Sequence, residues 1–234
     1  MLNSTILIKV KQRLNKLDSQ DYINVETWQI LEAFNKAQVD WCRRNLHGTN
    51  NHKEGDEQSA RRIDDLQILL TTASLKMNNK QTYYESATFP SNYLQWKKLS
   101  VKATKSCCPE PVPMVCYLAE LANVDLLLKD KNKQPSYEWG ETFSTLSNNK
   151  LQVYTNKDFE IVEAKFYYYR QPVYIQITGV ANSYTGDISI TDVNSEFKDD
   201  LVELMIDETV SILAGDIESM TSFQRMSQSV EKNN

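Results

Sequence analysis

The chain has 234 residues, 41% hydrophobic and 24% charged, which suffices for one sizeable core or one core with an inserted subdomain. A net charge of -5 argues against broad attraction to nucleic acid or to an anionic membrane. No apolar run approaches the roughly 20 residues that span a bilayer, and MLNSTILIKVKQRL lacks the ordered parts of a secretion signal, so the expectation is a protein made in a cytoplasm.

In chain order, Leu7, Val10, Leu14 and Leu17 recur at helical spacing and lay one apolar stripe along a first helix. Its other face is basic, with Lys9, Lys11, Arg13 and Lys16. A solvated face is the plain reading, and docking on an acidic surface of a neighbour is the alternative. Asn24 can cap a second helix, with Ile23 and Trp28 bracketing its first turn and Leu31, Phe34 and Trp41 continuing the buried side to a stop at Gly48. A third helix is expected from Ile63, Leu66, Leu70 and Ala73, which makes residues 1–80 a small helical bundle.

Residues 81–190 read as a β-rich insertion, an antiparallel sheet or sandwich. TYYESATF and MVCYLAE favour strands, and prolines at 90, 109, 111 and 113 read as punctuation. Between Lys97 and Lys105 four lysines occur without an acid and the apolar parity slips, which suggests a bulge and lysine protection of an edge strand rather than a nucleic-acid patch. Asn123 to Asp130 fits one helical turn. Asn148-Asn149 suits a two-residue hairpin, since both positions need positive φ. In the next strand Val162, Ala164, Phe166 and Tyr168 share one face and Glu163, Lys165 and Tyr167 the other, until Pro172 stops the pairing. The Tyr167–Tyr169 cluster is assigned to core and interface.

Ser195 is expected to cap a last helix of about twenty-five residues, spanning 191–218 and packing on the bundle through Phe197, Leu201, Leu204, Met205, Ile212 and Leu213. From Asp187 to Glu218 ten acids stand against Lys198 alone. Residues 219–234 form a polar tail whose Met220, Phe223, Met226 and Val230 line one side of a helix, so it is expected to dock on another protein with Phe223 as anchor.

The residues offer no catalytic set. His47 and His52 sit in or beside a polar loop, and Cys42-x4-His47-x4-His52 lacks zinc-ligand spacing. No G-x-S-x-G surrounds a serine, and the six glycines form no phosphate-cradling loop. Asp64-Asp65 and Asp199-Asp200 occupy adjacent helical positions and do not converge as an acid/base pair must. Cys42, Cys107, Cys108 and Cys116 suggest free thiols rather than a disulfide framework. The expectation is no enzyme, no cofactor and no metal.

The overall class is therefore α+β: an N-terminal helical bundle completed by a long C-terminal helix, with a β insertion between. This layout, together with LQVYTNKDFEIVEAKFYYYRQPVYI and its YYR-x-P strand end, resembles the head-to-tail connector proteins of tailed bacteriophages. It is most similar to the ring-forming neck proteins of short-tailed phages, particularly crAss-like phages. The resemblance implies a structural virion protein in the neck that stacks as a homo-oligomeric ring, twelvefold, beneath the portal, contacts the portal and adjacent neck or tail rings, and continues the DNA channel. Asp199, Asp200, Glu203 and Asp207 are then candidates to face that channel, where like charge discourages phosphate from sticking. Lys9, Lys11 and Arg13, with the four apolar tail residues, are candidates to bind partners. The alternative is a carbohydrate- or receptor-binding β module of a phage tail.

Overall fold

A computed structural model describes residues 1–15, 25–48, 60–182 and 184–216. The chain is mixed α and β and divides into two compact units, Met1–Leu69 with Pro172–Asn234, and Leu70–Gln171. Among the described residues, the first unit holds α1 (Asn3–Asn15), α2 (Thr27–His47), α3 (Ala60–Leu66) and α5 (Asp199–Asp216). The second holds a curled eight-stranded sheet and α4 (Val124–Lys129). The boundaries thus fall at 69/70 and 171/172 rather than at 80/81 and 190/191.

In the helical unit α5 packs against both α1 and α2, which scarcely meet each other. That placement explains why α5 is buried on most sides, with Leu201, Val202, Met205, Ile206, Val210 and Leu213 all inside. Helix α1 buries Asn3, Ile6, Val10 and Leu14, a stripe rotated from the expected one, since Leu7 is only half-buried. At α2 the N-cap is Glu26, whose side chain accepts from the Gln29 backbone amide while the Glu26 backbone amide donates to Gln29 Oε1 at 2.9 Å. Asn24, the expected cap, lies outside the described residues. Gly48 closes the helix as expected, at φ 69°.

Three expectations about element boundaries are corrected. Helix α3 stops at Leu66, and Leu70 and Ala73 belong to a strand, because their alternating burial follows the sheet. Ser195 does not cap α5; it is buried and donates to Gln38 Oε1 at 3.3 Å, and the described helix starts four residues later with 18 residues. The described residues of 172–190 hold no sheet strand. Among them are the isolated bridges Gln176 with Val193 and Ala181 with Ile188, and they belong to the helical unit.

That irregular run is fixed by two buried amides. Asn35 on α2 accepts the Ile175 amide at 2.8 Å and donates to the Ile175 carbonyl at 3.3 Å. Asn3 on α1 donates to the carbonyls of Gln176 and Val193 at 2.8 and 2.9 Å, and its own amide donates to Asn194 Oδ1 at 3.1 Å. The buried Ile175 backbone would otherwise be left unpaired, whereas Asn3 adds to carbonyls that already accept within the Gln176–Val193 bridge.

The sheet contains β1 (Leu70–Ser74), β2 (Met77–Asn79), β3 (Tyr83–Ser86), β4 (Tyr93–Lys105), β5 (Cys108–Leu118), β6 (Glu141–Ser147), β7 (Lys150–Tyr154) and β8 (Glu160–Arg170). Their order is β1-β8-β4-β5-β6-β7-β3-β2. The two outermost strands, β1 and β2, are consecutive in the chain with only Leu75 and Lys76 between them. Ser74 and Met77 can be separated by roughly 10 Å at most, so the sheet must curl until its edges approach. The ladder continues through the link: the Leu75 amide bonds to the Ala164 carbonyl at 2.9 Å, and the Lys76 carbonyl takes the Ala87 amide at 2.8 Å.

Inside the curl lie Leu75, Leu99, Val101, Met114, Leu151, Val153, Phe159, Ala164, Phe166 and Tyr168. Phe166 is its centre, with the rings of Phe89, Tyr93, Trp96 and Tyr168 at centroid distances of 5.6, 5.9, 5.1 and 5.1 Å. A second, smaller core forms where α4 covers β6 and β7 through Val124, Phe143 and Tyr154. The Asn148-Asn149 turn has φ 50° and 53°, joining Ser147 to Lys150 as its composition requires.

Other strand expectations need revision. One pair is parallel, β5 with β6, which requires the long crossover carrying α4. Strand β4 lies between β8 and β5, so its lysines guard no edge. They are held locally instead: Lys102 pairs with Glu163 at 2.8 Å, Lys105 with Asp158 at 2.6 Å, and Lys97 stands 6.0 Å over the Tyr169 ring. The expected irregularity is present as register shifts along β4, at Tyr93/Gln95, Trp96/Lys98 and Lys102/Ala103. The last leaves Val162 opposite nothing and exposed, which removes it from the inward face shared by Ala164, Phe166 and Tyr168. Pro109, Pro111 and Pro113 lie within β5 rather than between strands.

Candidate interaction surfaces

The charged candidates fall on two facing helices. Lys9 and Arg13 are one turn apart on α1, and Glu203 and Asp207 are one turn apart on α5, so the two rows align. Lys9 pairs with Glu203, and Arg13 divides its guanidinium between Glu203 and Asp207, the latter at 2.5 Å. The Arg13 guanidinium also donates to the Glu203 carbonyl at 3.2 Å. The Met1 amino group reaches Asp199 at 2.6 Å. Two of the three cations expected to meet an acidic neighbour, and two of the acids expected to line a channel, therefore neutralise one another within one chain. Lys11 and Asp200 remain exposed. Met220, Phe223, Met226 and Val230 lie outside the described residues.

On the other side of α5, Arg44 of α2 pairs with Glu208, which is buried. Burial pushes the Glu208 carboxyl above its ordinary range, and Arg44 offsets only part of that rise.

A different surface is apolar. In β5, Met114 and Cys116 point into the core, and Val115 and Tyr117 point out. The crossover to β6 returns beside them, the Val115 amide bonding to the Gly140 carbonyl at 2.7 Å. Gly140 has φ 65°, and the turn leaves Trp139 83% exposed. Leu118, the last residue of β5, and Leu121 just after it are exposed. Helix α4 turns Val124 and Leu128 to the small core and leaves Leu126 68% exposed. Six large apolar side chains are thus exposed within the stretch that runs from β5 through α4 to the start of β6.

These residues have no role assigned from sequence. The available signal was that MVCYL is apolar at both parities, the pattern of a strand with something on each face.

Among the described residues no strand pairs with the side of β5 away from β4 before Val115, because β6 begins opposite that residue. Pro113 has the parity of Val115, so its missing amide falls on the open side; Pro109 and Pro111 lie where β5 loosens from β4, at the shift between Ala103 and Lys105. The prolines therefore cost no ladder bond and leave an edge poor in donors, which discourages indiscriminate strand addition.

A polar cleft of about 400 Å³ lies elsewhere on the sheet unit, lined by Lys105, Gln134, Glu138, Asn156 and Asp158 among others. Burial raises the Asp158 carboxyl, but its bonds from Lys105 and from the Tyr137 amide at 2.9 Å outweigh that and leave it below its ordinary range. Among the described residues no group of three His, Cys, Asp or Glu side chains could hold a metal. His47 ends α2, and His52 lies outside the described residues. No family model and no curated protein matches the chain.

Proposed function

We propose that this chain is a structural subunit of a phage head-to-tail connector, forming a twelvefold ring beneath the portal that continues the DNA channel. The observation that supports this reading is the exposure of six large apolar residues, Val115, Tyr117, Leu118, Leu121, Leu126 and Trp139, within one stretch of the chain, apolar area that suits burial against a second copy. In this reading α1, α2 and α5 are the bundle that forms the base of the subunit, with the C-terminal helix completing it. The tail from 219 carries the docking stripe for the portal or a neighbouring ring, and Asp199 and Asp200 face the channel. Because Lys9 and Arg13 are paired inside the chain, reversing their charge bears on folding of the helical unit more than on assembly.

Light scattering and negative-stain imaging of the purified chain, alone and with its portal, test the proposal. Rings or portal-bound rings are expected, and Trp139→Glu with Leu126→Glu should abolish them while circular dichroism stays unchanged. A chain that stays monomeric at high concentration and ignores the portal overturns it.

A second reading, a glycan- or receptor-binding module, draws on exposed Trp139 adjoining Glu138 of the polar cleft. Binding of oligosaccharide by the monomer, lost in Trp139→Ala, would favour it.

A further inference from the structure

The β4–β5 hairpin turns through Ser106 and Cys107, with Lys105 paired to Cys108. Along a regular strand neighbouring side chains point to opposite faces. Here Cys107 is still in the turn as Cys108 begins the strand, and their sulfurs lie 3.3 Å apart. Both thiols are exposed, and Cys42 and Cys116 are buried. The four cysteines therefore divide into one reachable pair and two enclosed single thiols, and burial pushes the Cys116 thiol up to about 12.

We propose that Cys107 and Cys108 form a vicinal dithiol site that low-molecular-weight disulfides oxidise reversibly to an intramolecular disulfide at the hairpin tip. One cysteine thiolate attacks a sulfur of the small disulfide RS–SR, breaking that bond, forming a mixed disulfide and releasing RS⁻. The adjacent cysteine thiolate attacks the protein-side sulfur of the mixed disulfide and expels the second RS⁻. The two protons lost by the cysteines go to the two released thiolates, so the protein loses two protons and two electrons, and the small disulfide becomes two thiols. Bond formation requires the sulfurs to approach by only ~1.3 Å to reach disulfide length. Contact with Cys107 holds the Cys108 thiol above its usual range, and the Lys105 ammonium acts in the opposite sense. The resulting bond is exposed and closes a very small ring, which places it among the labile disulfides that a modest thiol excess reopens. This site is independent of the ring proposal, since it requires only the hairpin.

The test incubates the full chain with graded mixtures of oxidised and reduced glutathione, quenches with acid, and maps the peptides by mass spectrometry. The expected wild-type product is a 107–108 peptide lighter by two hydrogens and free of glutathione, with Cys42 and Cys116 still alkylatable after unfolding. Added reduced thiol should restore both alkylation sites completely. Cys107→Ser and Cys108→Ser should each stop at one retained glutathione, since the second displacement has no nucleophile. Wild-type protein that keeps a stable glutathione adduct, stays reduced in the most oxidising mixture, or links two chains through this peptide would overturn the proposal.

Discussion

In the helical unit the polar groups lie between elements: Asn3 and Asn35 hold an irregular segment to α1 and α2, and Lys9, Arg13 and Arg44 tie α1 and α2 to α5. In the sheet unit the ion pairs of Lys102, Lys105 and Lys165 lie partly exposed, and the interior is aromatic and aliphatic. The charges divide accordingly: Leu70–Gln171 has 13 Lys and Arg against 10 Asp and Glu, and the remainder has 13 against 21. Apolar bulk stabilises the sheet unit, whereas directional bonds to a few amides define how the helical unit's parts meet. Buried polar groups contribute little net stability when satisfied and cost much when one partner is removed.

The largest effect that would sharpen this contrast is loss of the sheet centre. Phe166→Ala removes a fully buried ring touched by four other aromatics and should destabilise the sheet unit by about 3–5 kcal/mol. Hydrogen exchange followed by mass spectrometry should show protection falling throughout β1–β8, and an undiminished sheet would contradict the assignment of its core. Next in size, Asn35→Ala leaves the buried Ile175 backbone without both of its side-chain bonds and should cost about 1–3 kcal/mol. Its signature is faster exchange at residues 172–178 and in α2, read from the same experiment. Equal protection in the variant would mean that the segment is held by apolar contacts alone.

The smallest effect is in acid, where the units should respond with opposite sign. Hydrogen bonds from Lys102 and Lys165 hold the Glu163 carboxyl down at about 2. Its contribution is therefore present above the unfolded glutamate range of about 4.3 and is lost as pH falls toward the folded value. Glu208 is raised by burial, so its folded form takes a proton more readily than its unfolded form, and acidification relieves rather than removes stability there. Denaturant melts across the acid range should show Glu163→Gln flattening the loss in the sheet unit and Glu208→Gln flattening the gain in the helical unit. Slopes unchanged by either substitution would refute the assignment.

Local signals were the ones the sequence carried well. The Asn148-Asn149 turn, the Gly48 stop, the bulging of β4 and the inward row Ala164-Phe166-Tyr168 each depend on a few neighbouring residues. Errors arose where a partner decided. Leu66, Leu70 and Ala73 satisfy helical spacing, but pairing of Leu70–Ser74 with β8 prevails. Prolines read as breaks are tolerated in β5 because of which side lacks a partner, a property of the sheet and not of the strand. The row of Lys9 and Arg13 looked like a surface because the acids that meet it are about 190 residues away, with separations of 190 and 194. The apolar crossover went unassigned because Val115 and Trp139 become neighbours only through the parallel β5–β6 pairing.

The register of β1 with β8 has a further consequence for how such a chain can change. Leu70 pairs with Tyr169, two residues before the exit at Gln171, so the chain enters and leaves the sheet unit on adjacent antiparallel strands, whose paired residues are about 5 Å apart. Seen from Leu69 and Pro172, the intervening 70–171 segment has the end-to-end span of an ordinary tight loop, whatever its contents. A module with ends so close can be lengthened, exchanged or recombined without asking the host helices to move, as domain insertions require. Variation among descendants of this chain should therefore concentrate inside the inserted module, while the sites of insertion stay fixed.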